Sequence, residues 1–150
     1  MKIKTEITID VDRATVWREF DDQDNLNEWQ PALKSFTTRT GTPGQPGAVT
    51  ELVYNENGRN VVTIETITEK RAPDFMAASY DSRWSKAIVV NHFEATDDER
   101  TRWVMYANHR FKGVFRLVAI VLRQSISRRT DAWMQRFKLL VESRAAEKAP

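Results

Sequence analysis

Five polar side chains in this chain have the types and settings to do chemistry: Tyr54, Glu65, Tyr80, Asn91 and His109. Each sits in a stretch where polar and apolar residues alternate, so a strand could carry it into an apolar interior. A carboxyl group placed there resists ionisation, because burial penalises the charge, and a carboxyl raised in this way is a usable general acid or base. Histidine titrates near neutrality and can pass a proton on. Tyrosine and asparagine supply hydrogen bonds that fix a ligand hydroxyl or carbonyl in one orientation. The set could therefore orient a small molecule, or, with Glu65 or His109 moving a proton, transform it. Each residue also has a plainer use. Tyr54 and Tyr80 suit a core as aromatics with a satisfied hydroxyl. Asn91 could bond a strand irregularity, His109 could be solvated at a strand end, and Glu65 could point out on a wet sheet face.

Other chemistries lack their residues. The chain has no cysteine, which removes disulfides, thiolate ligands and a cysteine nucleophile. Its two histidines, His92 and His109, fall on opposite expected faces, so no metal site is expected. The stretch "GTPGQPG" (41–47) has glycines but neither a Gly-Lys-Ser/Thr ending nor a strand–loop–helix setting, so it binds no nucleotide phosphate. It reads either as a gate beside a pocket mouth or as a plain surface loop. No Ser, His and Asp order suggests an acyl-transfer triad, and nothing calls for a cofactor.

The elements that must position these residues follow from periodicity. Residues 3–9 alternate Ile3, Thr5, Ile7 and Ile9 against polar neighbours, a half-buried strand. "DVDRATVWREFDD" is a helix with Asp10 or Asp12 as N-cap, and "DQDNLNEWQP" is a second short one ended by Pro31. From residue 33 to 111 strand follows strand, with Asn57-Gly58 as a two-residue hairpin turn and "DDER" (97–100) as another. One long helix, about residues 112–144, closes the chain. Antiparallel strands with helices segregated to one face define an α+β domain, here a single one over residues 1–150.

Alternation also sets the facing. Outward Glu94 puts Phe93, Asn91 and Val89 inside; outward Arg102 and Arg110 put Trp103, Met105, Ala107, His109 and Phe111 inside. Leu52 and Tyr54 share one face, and Met76, Ala78 and Tyr80 another. The stretch "NVVTIETITE" leaves two choices, since Val61, Thr63, Glu65 and Ile67 are as burial-prone as Val62, Ile64, Thr66 and Thr68. Trp29, Phe93, Trp103, Met105, Phe115 and Leu122 are expected around the polar set.

On a wheel of about 100° per residue, Phe115, Ala119, Leu122, Ile126, Trp133, Phe137 and Leu140 fall within about 40° of one line, a continuous core-facing stripe. No membrane span is expected: the longest uncharged apolar run is Leu117–Leu122, against the roughly 20 residues a span needs. Arg110–Lys138 carries eight Lys/Arg against Asp131 alone, which leaves −5 for the rest of a chain whose net charge is +2. Its cations ring the outer side while its aromatics face in, where they could not stack on bases, so nucleic acid is not the expected partner. A solvated basic helix, partly paired with the acidic body, accounts for the charge, and attraction to an anionic membrane surface or an acidic partner is the alternative. Val114, Leu117, Ile120 and Val121 lie off the stripe and need a cover: the two short helices, a dimer partner or a lipid surface. The N-terminus has no apolar core of the kind a signal peptide needs, and a cytoplasmic protein is expected, as a monomer or homodimer.

This order resembles the helix-grip proteins of the SRPBCC superfamily, which includes START lipid-transfer domains, the birch-pollen-allergen type and polyketide cyclase/dehydrase-like proteins. The resemblance rests on "ITIDVDRATVWREFDDQDNLNEWQP", "TPGQPG", "IETITEKRAPDFM" and the terminal "FKGVFRLVAIVLRQSI", and covers nearly the whole chain. It implies a curved seven-stranded antiparallel sheet wrapped around the C-terminal helix, with two short helices between the first two strands. It also implies a pocket for a hydrophobic or amphipathic small molecule (a lipid, polyketide or similar), with Trp29, Phe93, Trp103, Met105, Phe115 and Leu122 as its walls. No invariant catalytic set defines the superfamily, so it transfers no catalytic residue. Three functions follow as expectations: binding of such a molecule, cyclase- or dehydrase-like proton transfer by Glu65 or His109, or protein interaction through the front of the long helix.

Overall fold

The computed structural model describes Met1–Pro150. Its elements run β1 (Lys2–Ile9), α1 (Arg13–Asp21), α2 (Leu26–Trp29), β2 (Leu33–Thr40), β3 (Val49–Glu56), β4 (Arg59–Arg71), β5 (Phe75–Ser82), β6 (Ser85–Ala95), β7 (Thr101–Phe111) and α3 (Ala119–Lys148). The seven strands form one antiparallel sheet in the order β1-β7-β6-β5-β4-β3-β2.

Local chemistry explains the boundaries. Asp12 caps α1, its carboxylate accepting the Thr15 N–H at 3.0 Å and the Thr15 hydroxyl at 2.8 Å. Asn57 and Gly58 take φ of 52° and 80°, the paired positive values of the tight turn that matches strand twist, and Glu56 pairs directly with Arg59. Bulges interrupt the pairing of β2 at Leu33/Ser35 and Thr38/Thr40, and that of β4 at Ile67/Glu69. Each bulge bends its strand, which curls this half of the sheet toward α3.

The core fills one end of that curve. Ile9, Val11, Val16, Trp17, Trp29, Phe93, Trp103, Met134, Phe137 and Val141 form one buried cluster. Phe93 stacks on Trp103 at 5.5 Å, and Phe137 meets Trp103 and Trp29 edge-on at 5.2 and 5.3 Å. Removing Phe137 from water contributes about 2–3 kcal/mol. Polar contacts hold the same half of α3. Lys138 donates to the Thr8 carbonyl at 2.6 Å, and Glu142 accepts the Asp10 N–H at 3.0 Å. Arg144 pairs with Glu19 and Glu28, each at 2.6 Å, and donates to Asn25 Oδ1 at 2.9 Å. Every one of these anchors lies beyond residue 132. No residue from Gly113 to Ala132 is buried.

The helix differs from the expected 112–144 at both ends. A 3-10 turn covers Gly113–Arg116, the chain is non-helical at Val118 (φ −110°, ψ 18°), and α3 runs on to Lys148. Gly113 leaves β7 at φ 51°, and Phe115 docks edge-on against Trp84 at 4.8 Å, which holds the turn apart from the helix. The inward stripe agrees with the burial in part: two of the three fully buried residues of α3, Met134 and Val141, lie beside it and not on it. Phe115, Ala119, Leu122, Ile126, Trp133 and Leu140 are part-buried and Phe137 fully so, whereas Leu117 is 88% exposed and Ile120 79%. No helix is long and apolar enough to cross a membrane.

Candidate ligand cavity

Residues paired across an antiparallel sheet share a face, so the register shows what the concave side carries. Thr50, Glu65, Tyr80, Ala87 and His109 make one row across β3 to β7. Ile67, Ala78, Val89, Ala107 and Ile3 form the next row, then Met76, Asn91, Met105 and Thr5, and then Phe93, Trp103 and Ile7 in the closed core. The row through Glu65 settles the ambiguity of β4: Glu65 faces in. His92 faces out, against Phe75 at 5.1 Å and Tyr106 at 5.9 Å.

Between this face and the front of α3 burial is incomplete. Val89, Met105, Ala107, His109 and Phe111 retain surface on the inner face of the sheet, as do Ala119, Leu122, Ile126 and Trp133 on the helix opposite. In the core row, by contrast, Phe93 is 1% exposed and Trp103 0%. A recess of about 460 Å³ lies at the open end, lined by Met1, His109, Arg110, Phe111, Arg116 and Ala119.

The polar set divides by how its groups are engaged. Tyr80 donates to Glu65 Oε2 at 2.8 Å. Tyr54 donates to Gln30 Oε1 at 2.8 Å and stacks on Trp133 at 5.7 Å, which ties β3 to α2 and α3. Asn91 is 3% exposed, and its Oδ1 accepts the Trp103 indole N–H at 2.9 Å, so it serves the core. His109 is part-buried and stacks on Phe111 at 6.0 Å, and its Nδ1 is buried without a partner. Trp29 Nε1 is the other buried side-chain atom without one. Of the expected apolar walls, Met105, Phe115 and Leu122 are part-buried, Phe115 against Trp84, whereas Trp29, Phe93 and Trp103 are sealed in the core.

Burial dominates the electrostatics. It raises the pKa of Glu65, with the Tyr80 hydrogen bond acting the other way. It also raises both tyrosines, with the Glu65 charge adding to it. His109 is lowered, first by burial and then by the N-terminal ammonium and Arg129. The centre is thus held toward its neutral forms and can donate and accept hydrogen bonds without burying charge. Glu65 on β4 and His109 on β7 are three strand steps apart, about 14 Å at ~4.8 Å per step. They cannot exchange a proton directly, but one elongated ligand could touch both.

Thr50 and Thr63 also lie on the inner face of β3 and β4, Thr63 in the same alternation set as Glu65. Gln30 was not foreseeable, because its partner Tyr54 lies on another element. The "GTPGQPG" loop is held rather than free. Lys70 bonds the Gly44 carbonyl at 2.8 Å and Asp21 at 2.6 Å, and the Gly47 N–H donates to the Ile67 carbonyl at 2.8 Å. A Cβ on Gly41 (φ 80°) would sit 2.8 Å from Ala48 Cα, so the loop's entry requires glycine. A recess of about 270 Å³ beside it is lined only by polar residues and by Pro43 and Gly44.

A curled antiparallel sheet gripping a C-terminal helix over a partly open interior is the helix-grip architecture. The model of the family "Polyketide cyclase / dehydrase and lipid transport" matches residues 1–142, and the chain belongs to that family, within the SRPBCC superfamily. Solved structures share the fold. The Zhui aromatase/cyclase from Streptomyces sp. R1128 superposes with a TM-score of 0.84 at 13% identity, over 97% of this chain and 95% of that one. Ara h 8.0201 gives 0.77 at 16% identity, over 95% and 98%. A START superfamily protein from Mycobacterium smegmatis gives 0.71 at 13% identity, over 93% and 98%. No curated protein matches the sequence significantly.

Proposed function

We propose that this protein binds a hydrophobic or amphipathic small molecule between the inner sheet face and the front of α3. The observation that carries the reading is the contrast along that face: the core row is sealed, while Val89, Met105, Ala107 and His109 keep surface opposite Leu122 and Ile126. Apolar surface buried by a ligand would contribute roughly 25 cal/mol per Å² before the costs of association. The polar end of the ligand would meet the Glu65–Tyr80 pair or His109. The test is native mass spectrometry of gently purified protein, followed by thermal shifts with a panel of lipids and polyketides. Retained compound or ligand-dependent stabilisation is expected; neither in any member of the panel contradicts the reading.

A second reading rests on one observation, the raised pKa of Glu65 beside Tyr80 at 2.8 Å. A carboxyl held toward its protonated form by burial, bonded to a phenol at an apolar wall, could move a proton in a cyclisation or dehydration. This reading requires turnover that Glu65→Gln abolishes with folding intact.

A further inference from the structure

The front of α3 and the turn before it present the most conspicuous unpartnered surface of the molecule. Leu117 is 88% exposed, Ile120 79%, Val114 71% and Val121 67%. They cluster within two turns at one end of the molecule, whereas the anchored half of α3 lies at the other. Folding does not cover them, so their burial must come from outside.

The charge around them narrows the occupant. From Arg110 to Arg129 there are six Lys/Arg and no Asp or Glu. Of these, Lys112 pairs with Asp81 and Arg129 with Glu56, whereas Arg110, Arg116, Arg123 and Arg128 form no ion pair within the chain. A second copy docked through the same patch would bring these unpaired cations together, which opposes a symmetric dimer. An anionic lipid surface suits both features. Aliphatic side chains at a tip enter the acyl boundary, and arginines beside them stay at the headgroup level.

We propose that the tip formed by Gly113–Arg116 and the first turns of α3 docks on anionic membrane surfaces, with Leu117 and Ile120 inserted and Arg116 and Arg123 at the phosphates. The recess lined by Arg116, Ala119 and His109 opens at the same end. Docking would bring that mouth against the bilayer, where apolar molecules are held. Docking itself does not depend on the cavity being occupied.

The test is flotation of the full chain with vesicles of equimolar phosphatidylglycerol and phosphatidylcholine, and with phosphatidylcholine alone. Binding to the anionic vesicles, weakened by salt, is expected. Arg116→Ser/Arg123→Ser should lower partitioning by about tenfold or more. Leu117→Ser/Ile120→Ser should abolish it with thermal unfolding unchanged, since both side chains lie outside the core. Absence of binding to anionic vesicles overturns the proposal. Equal binding by the Leu117→Ser/Ile120→Ser variant overturns it as well. So does a dimer in light scattering that Leu117→Glu dissociates, because the patch would then be a contact between copies. Ligand-dependent thermal shifts in vesicle-free protein stand or fall separately from all three outcomes.

Discussion

At the scale of single residues, Glu65 is the one carboxyl of the inner face that burial holds toward its protonated form. Its pKa is raised in the folded state, so folding holds its proton more tightly than the unfolded chain does. The resulting contribution to stability is fully present below the ordinary glutamate value of 4.5 and is lost as pH rises through the folded-state pKa. Glu65→Gln removes that loss. The variant should melt higher than the parent in neutral buffer, with the difference closing toward pH 4.5 in a thermal-unfolding series. A parallel pH dependence in both proteins would contradict a buried carboxyl. His109 has the opposite sign. Its lowered pKa favours the folded state above the ordinary histidine value of 6.5, and that contribution falls away in acid. His109→Gln should therefore flatten the loss of stability on acidification below that value. Much of this layer was legible beforehand: parity placed Tyr54, Tyr80, Asn91 and His109 on the inner face, and the register agrees. Parity failed for Glu65, because both faces of β4 carry β-branched residues. It also could not show that Asn91 is engaged by Trp103 and Tyr54 by Gln30, because those bonds join separate elements.

At the scale of elements, α3 is one helix with two environments. Met134, Phe137 and Val141 are in the core, whereas Ala119–Ala132 has only part-buried contacts and the Arg129–Glu56 ion pair at 2.5 Å. Local opening costs least where buried apolar contact is least. Amides of residues 120–128 should exchange with solvent faster than those of 134–142, and a bound ligand should slow the first group selectively. Phe137→Ala should destabilise the fold by about 3–5 kcal/mol in chemical denaturation, as expected for an emptied aromatic core site. Leu122→Ala should cost far less, because its site is already part-open. The stripe on α3 was readable as a spacing. The division of that stripe was not, because it depends on which strands curl over which turns. The break at Leu117–Val118 was hidden too, since helical periodicity continues through it.

At the scale of the whole molecule, the sheet and α3 meet as a wedge, closed at the aromatic core and open toward His109, Phe111 and Arg116. The order of strands and helices fixed this architecture in advance, because antiparallel strands with one long amphipathic helix have few ways to bury both apolar faces. The space between them depends on bulges and on bulk opposite bulk, which no single stretch encodes. The most direct test of the central claim is calorimetric titration with a fluorescent apolar probe such as anilinonaphthalene sulfonate, comparing the parent chain with Ala107→Phe. Ala107 lies on the inner face between Ile3 and Val89 and is only part-buried, so phenylalanine there fills the gap without entering the core. Saturable one-to-one binding by the parent, lost in a folded Ala107→Phe variant, is the predicted result. Equal binding by both proteins, or none by the parent, would contradict a ligand cavity between sheet and helix.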